Sequence, residues 1–79
     1  MRLDKYLKVS RLIKRRTVAN EACDAGRVSI NGKIAKAGTE VKLGDVIEIH
    51  FGSSTVQVKV TSLTEHVKKE DAAQMYTAL

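Results

Sequence analysis

Lys14-Arg15-Arg16-Thr17 is the stretch on which the fold turns, because one short helical pattern ends just before it and a second begins within it. Working outward, the segment from Met1 to Lys36 holds ten Lys or Arg against the three acids Asp4, Glu21 and Asp24. From Ala37 to Leu79 the balance reverses, with four bases against six acids. The formal charge of +5 is therefore segregated, and segregation implies a face built to meet something anionic.

On the N-terminal side, a helical wheel places Leu3, Tyr6, Leu7 and Ser10 together and Lys5 and Lys8 opposite, flanked by Arg2 and Arg11. This is a short amphipathic helix with a basic outer face. Asp4 falls in its first turn, favoured by the helix dipole and four residues ahead of Lys8, so a local pairing role is expected for it. Leu12 to Arg15 form the corner, with Leu12 and Ile13 filling it. A second helix is predicted over 16–25, with Val18, Ala19, Ala22, Cys23 and Ala25 inward and Thr17, Asn20 and Asp24 outward. Gly26 ends it. Arg15 and Arg16 open that helix where its dipole disfavours cations, which an anion resting there would explain.

On the C-terminal side, Val28 and Ile30 alternate with polar residues, Asn31-Gly32 supplies a two-residue hairpin turn, and Lys33-Ile34 starts the return. Strands are predicted over 46–51 and 55–63, separated by Gly52-Ser53-Ser54 and paired antiparallel. Asp71 to Leu79 reads as a closing helix with Ala72, Met75, Tyr76 and Leu79 on one stripe. The fold class is α+β: an N-terminal helix pair, a small antiparallel sheet of four or five strands and a C-terminal helix. One domain is expected over 1–79, with 1–50 as the binding motif and 51–79 as an extension packed on it.

Seventy-nine residues leave little core to hollow into a substrate cleft, so binding is favoured over catalysis. Charges at Arg2, Asp4, Lys5 and Lys8 interrupt any signal-like apolar run, and no stretch approaches a membrane span. A cytoplasmic protein without membrane attachment is expected. Cys23 is the only cysteine, so the chain can form no internal disulfide, and it reads as a small core residue. His50 and His66 lack partners at metal-ligand spacing, and Glu21 with Asp24 reads as charge balance on an exposed face. No cofactor, metal or catalytic residue is assigned.

Ten cations on two adjoining helices and a hairpin would repel one another without a polyanion, which points to nucleic acid. Tyr6, Phe51 and Tyr76 are assigned to the core, so stacking on single strands is disfavoured. The second helix offers only Thr17, Asn20 and Asp24 to a major groove, a poor reading surface. Shape and phosphate recognition of folded RNA needs little beyond well-placed cations.

The segments Arg2-Leu3-Asp4-Lys5-Tyr6-Leu7, Ser10-Arg11-Leu12, Arg16-Thr17-Val18-Ala19, Gly26 to Lys33 and Val41 to Ile47 together resemble the RNA-binding domain first described in ribosomal protein S-four, the alpha-L motif. The resemblance covers residues 1 to about 50. It implies that Arg2, Lys5, Arg11, Arg15, Arg16, Thr17, Asn31, Lys33 and Lys36 lie on or beside an RNA-facing surface. The remainder is similar to stand-alone heat-shock fifteen-kilodalton proteins. The Lys68-Lys69-Glu70 to Tyr76-Thr77 ending resembles their compact Gram-positive counterparts in ribosome-associated quality control. That likeness implies a non-enzymatic monomer contacting large-subunit rRNA and tRNA, holding peptidyl-tRNA on obstructed large subunits while a tailing factor adds alanine. The alternatives are a recycling or assembly factor of the heat-shock type and a DNA-binding or protein-docking module. Enzymatic modification of RNA ranks last.

Overall fold

A computed structural model describes residues 1–65 and 68–79. The expectation for His66 lies outside the described residues. Helix α1 spans Leu3–Val9, and Leu3, Tyr6, Leu7 and Ser10 are all buried, as the wheel predicts. Its first free N–H groups do not face solvent: Leu3 donates to the Thr39 carbonyl at 2.9 Å and Asp4 to that of Ala37 at 3.1 Å. Ile13, 6% exposed, fills the corner.

Helix α2 spans Arg16–Asp24. Gly26, at φ +74°, lets the Gly26 and Arg27 N–H groups return to the Cys23 and Ala22 carbonyls, closing the helix in a Schellman arrangement. The inner face is narrower than the sequence predicts: Ala19 and Cys23 are buried and Ala22 partly so, while Val18 and Ala25 are exposed. Val18, Ala22 and Ala25 form the neighbouring stripe, which the sheet covers only at its edge; with Glu21 and Arg27 they line a shallow groove of about 290 Å³.

Strands β1 (Val28–Ile30), β2 (Lys33–Ile34), β3 (Val46–Phe51), β4 (Ser54–Val60) and β5 (Tyr76–Ala78) form one antiparallel sheet in the order β2-β1-β3-β4-β5. Asn31 at φ +52° and Gly32 at φ +84° make the predicted primed turn. Ile47 and Ile49 on β3 face the same side as Val58 and Val60 on β4, and all four are buried against α1 and α2 in one cluster. Phe51 shares their phase but ends β3 at the hairpin tip, past the helices, and is 45% exposed, contrary to its core assignment.

The C-terminal helix predicted over 71–79 is not an α-helix and does not reach the end of that range. Lys69–Met75 is a 3₁₀ segment and Tyr76–Ala78 is β5, paired with β4 through Val58↔Ala78 and Val60↔Tyr76. The spacing of Ala72, Met75, Tyr76 and Leu79 suits a helix, but nine residues are marginal as one, and the edge of β4 offers backbone partners that would otherwise stay unpaired. Ala72 and Met75 are buried, and Leu79 is 65% exposed. Strand β4 also stops at Val60 rather than Leu63, because Thr61 and Ser62 turn their N–H groups to the Met75 carbonyl at 2.9 and 3.2 Å.

Candidate nucleic-acid interface

Asp4 does not pair with Lys8. It lies at the junction of α1 and α2, is 2% exposed, and gathers donors from three directions. Its Oδ1 accepts the Lys5 backbone N–H at 2.8 Å and Arg2 Nε at 3.2 Å. Its Oδ2 accepts Arg2 Nη2 at 3.4 Å, Arg16 Nε at 3.3 Å and Asn20 Nδ2 at 3.4 Å. Burial alone would raise this carboxyl's pKa, but hydrogen bonds from Arg16, Asn20 and the Lys5 N–H, together with the Arg16 charge, hold it below the ordinary 3.8. The carboxylate is therefore ionised at neutral pH and is shared by two arginines fourteen residues apart in chain position.

Those arginines are not consumed by the sharing. The side chains of Arg2 and Arg16 stay 54% and 48% exposed, and not every Nη donor is bound to Asp4. Beside them runs a shallow groove of about 380 Å³ lined by Asp4, Arg16, Thr17, Asn20 and Glu21. Arg2 also lies against the loop that anchors α1, where a Cβ on Gly38 would stand 3.9 Å from Arg2 Nη2. At the start of α2, Arg15 is extended and supplies no side-chain cap to the first N–H groups. Half-exposed guanidinium groups beside free helix-start N–H groups suit a phosphate.

Residues 1–47 match the S4 domain. The chain belongs to the S4-domain family. Over all 79 residues it is 60% identical to the Bacillus subtilis "RQC P-site tRNA stabilizing factor", covering 92% of that protein. It is 33% identical over 75 residues to the Aeromonas salmonicida "Heat shock protein 15 homolog", covering 95% of this chain and 57% of that one. Heat shock protein 15 of Vibrio cholerae, solved as a trimer, superposes with a TM-score of 0.92 at 28% identity, covering all of this chain and 81% of that one.

Within this S4 domain the remaining predicted residues are spread more widely. Lys5 Nζ lies 3.4 Å from Glu65 Oε1, half-exposed, in a pair that solvent screens. Arg11 is exposed and holds a left-handed backbone at φ +62°, its N–H on the Lys8 carbonyl. Arg15, Thr17, Lys33 and Lys36 are exposed, and the cations among them have no carboxylate partner among the described residues. Asn31 is exposed, but its amide is engaged: Nδ2 donates to Asp45 Oδ1 at 3.1 Å and Oδ1 accepts the Val46 N–H at 2.9 Å. It ties the hairpin carrying Lys33 to the start of β3. Among the described residues, no hydrogen bond or ion pair joins this hairpin to the Asp4 cluster.

Sequence reasoning missed Asp4 as the organiser and Asn20 as its third side-chain partner. One signal was available: Asp4 is the only acid before Glu21 in a stretch holding seven cations, and the Leu3–Leu7 stripe points it toward the second helix. Cys23 is buried, and burial with the nearby Asp4 and Asp24 charges pushes its thiol up to about 11, which keeps it a neutral core residue.

Proposed function

We propose that this chain is a non-enzymatic RNA-binding factor that stabilises P-site tRNA on the large ribosomal subunit during ribosome-associated quality control. The observation that carries the proposal is full-length similarity, at 60% identity, to a factor bearing that name. The chemistry fits it. Arg2 and Arg16 present guanidinium edges from one fixed point, Arg11, Arg15, Lys33 and Lys36 supply further cations, and Thr17 borders the groove. Such a surface neutralises phosphates that rRNA and tRNA bring close together, without making or breaking a bond.

Residues 1–50 would bear the RNA contacts, with 51–79 completing the core beneath them. A cytoplasmic monomer working beside a tailing factor that adds alanine completes the proposal. Among the described residues no helix is long and apolar enough to cross a membrane. The fold likeness to heat shock protein 15 supports a second reading, a recycling or assembly role on the same subunit.

The test is co-sedimentation of tagged full chain with purified large subunits, with and without bound P-site tRNA. Retention that depends on the tRNA and falls with salt is expected. Equal retention without tRNA favours the second reading, and duplex DNA competing as well as subunits would overturn both.

A further inference from the structure

We propose that Asp4 is a positioning residue for RNA: its carboxylate locks Arg2 and Arg16 into one two-guanidinium clamp, so that a negative charge at the binding surface strengthens the grip on a polyanion. The proposal rests on the RNA-binding reading above and adds to it a residue that reading does not use. Three observations carry it. Asp4 is 2% exposed, in a position where it does not itself reach a phosphate readily. Among the described residues, the five hydrogen bonds its carboxylate accepts come from donors that fix the junction: the Lys5 N–H, Asn20, two from Arg2 and one from Arg16. Both arginines stay half exposed: Asp4 holds Arg16 by its Nε alone and Arg2 by Nε and Nη2, leaving both Nη groups of Arg16 and Nη1 of Arg2 for an outside partner.

The chemistry explains why a carboxylate is needed. Two guanidinium groups converging on one spot repel, and each rides on a side chain with four rotatable torsions. Left alone, they would separate and lose the geometry that grips a phosphate through paired N–H groups. A shared carboxylate removes the repulsion and fixes the Nε ends, so less freedom is lost when the RNA arrives.

A plain electrostatic view gives the opposite sign. Neutralising any acid on this chain raises its net charge above +5 and should tighten binding to RNA. Glu21 is the matched control, because it lines the same groove, is exposed, and makes no ion pair among the described residues.

The experiment compares Asp4→Asn and Glu21→Gln in the full chain, by titration into purified large ribosomal subunits carrying P-site tRNA, at several salt concentrations. Folding of each variant is checked by circular dichroism at the same temperature. Asp4→Asn is expected to weaken binding about tenfold and to flatten the salt dependence, while Glu21→Gln binds as tightly as the parent or more so. In an Arg2→Ala/Arg16→Ala background, Asp4→Asn is expected to have no further effect, which a general loss of structure would not reproduce. Should Asp4→Asn fail to fold, Asp4→Ser, which keeps an acceptor for the Lys5 N–H, carries the same prediction. If folded Asp4 variants bind as Glu21→Gln does while Arg16→Ala weakens binding, the positioning role is overturned and the RNA reading survives. If the parent chain itself does not bind, the RNA reading has failed.

Discussion

Arg11 holds a left-handed backbone at φ +62°, a conformation that costs a residue with a Cβ about 1–2 kcal/mol. Glycine would relieve that strain, with part of the gain returned through its freer unfolded chain. Arg11→Gly is therefore expected to raise stability by about 0.5–1 kcal/mol in urea titrations while weakening RNA binding, because the cation is lost. Equal or tighter binding would remove Arg11 from the interface. Asp4 carries a pH signature. Its carboxyl lies below the ordinary value in the folded chain, so its contribution to stability is full above the unfolded value near about 4 and is lost as pH falls through the folded value. The difference in melting temperature between the parent and Asp4→Asn should shrink below about pH 4. Cys23, buried with its thiol pushed up to about 11, should resist iodoacetamide at pH 8 and react at a rate set by unfolding.

Among the elements, β5 and the 3₁₀ segment tie the C-terminal residues into the core that supports α1. The Tyr6 hydroxyl donates to the Met75 carbonyl at 2.7 Å, and that carbonyl also accepts from Thr61 and Ser62. Because those donors remain, Tyr6→Phe should cost about 1 kcal/mol, near the ordinary worth of one hydrogen bond rather than the penalty of an orphaned group. Chemical denaturation of the two proteins measures it. The β1–β2 hairpin responds differently. Asn31→Ala removes the acceptor of the Val46 N–H and places a Cβ-bearing residue without a helpful side chain at φ +52°, so a loss of about 1–2 kcal/mol is expected. The salt slope of RNA binding should not change, because no cation is lost. The hairpin itself was legible, since Asn31-Gly32 demands a primed turn wherever it sits. The C-terminal strand was not, since Ala72, Met75, Tyr76 and Leu79 carry helical spacing and only the free edge of β4 turns Tyr76–Ala78 into a strand.

For the whole molecule, the decisive property is that +7 of charge belongs to residues 1–36 and −2 to the rest. Each phosphate neutralised adds roughly 0.7–0.9 to the salt slope, so Arg16→Ala should flatten that slope by about one such step and weaken binding to large subunits. Lys59→Ala, on an exposed position of β4, should leave both unchanged. Filter binding at graded salt distinguishes the two, and equal effects would mean that only total charge matters.

The sequence by itself determined the helix pair, the hairpin, the paired strands β3 and β4 and the segregation of charge, because each follows from contacts or periodicities within a few residues. It could list the cations of the candidate interface, since charge is a property of composition. Only the tertiary structure decided which of them act together. Arg2, Asp4, Arg16 and Asn20 meet because the corner at Ile13 folds α2 back across the start of α1. A buried carboxylate selects its partners through distance and desolvation, quantities that exist only once the chain has closed on itself.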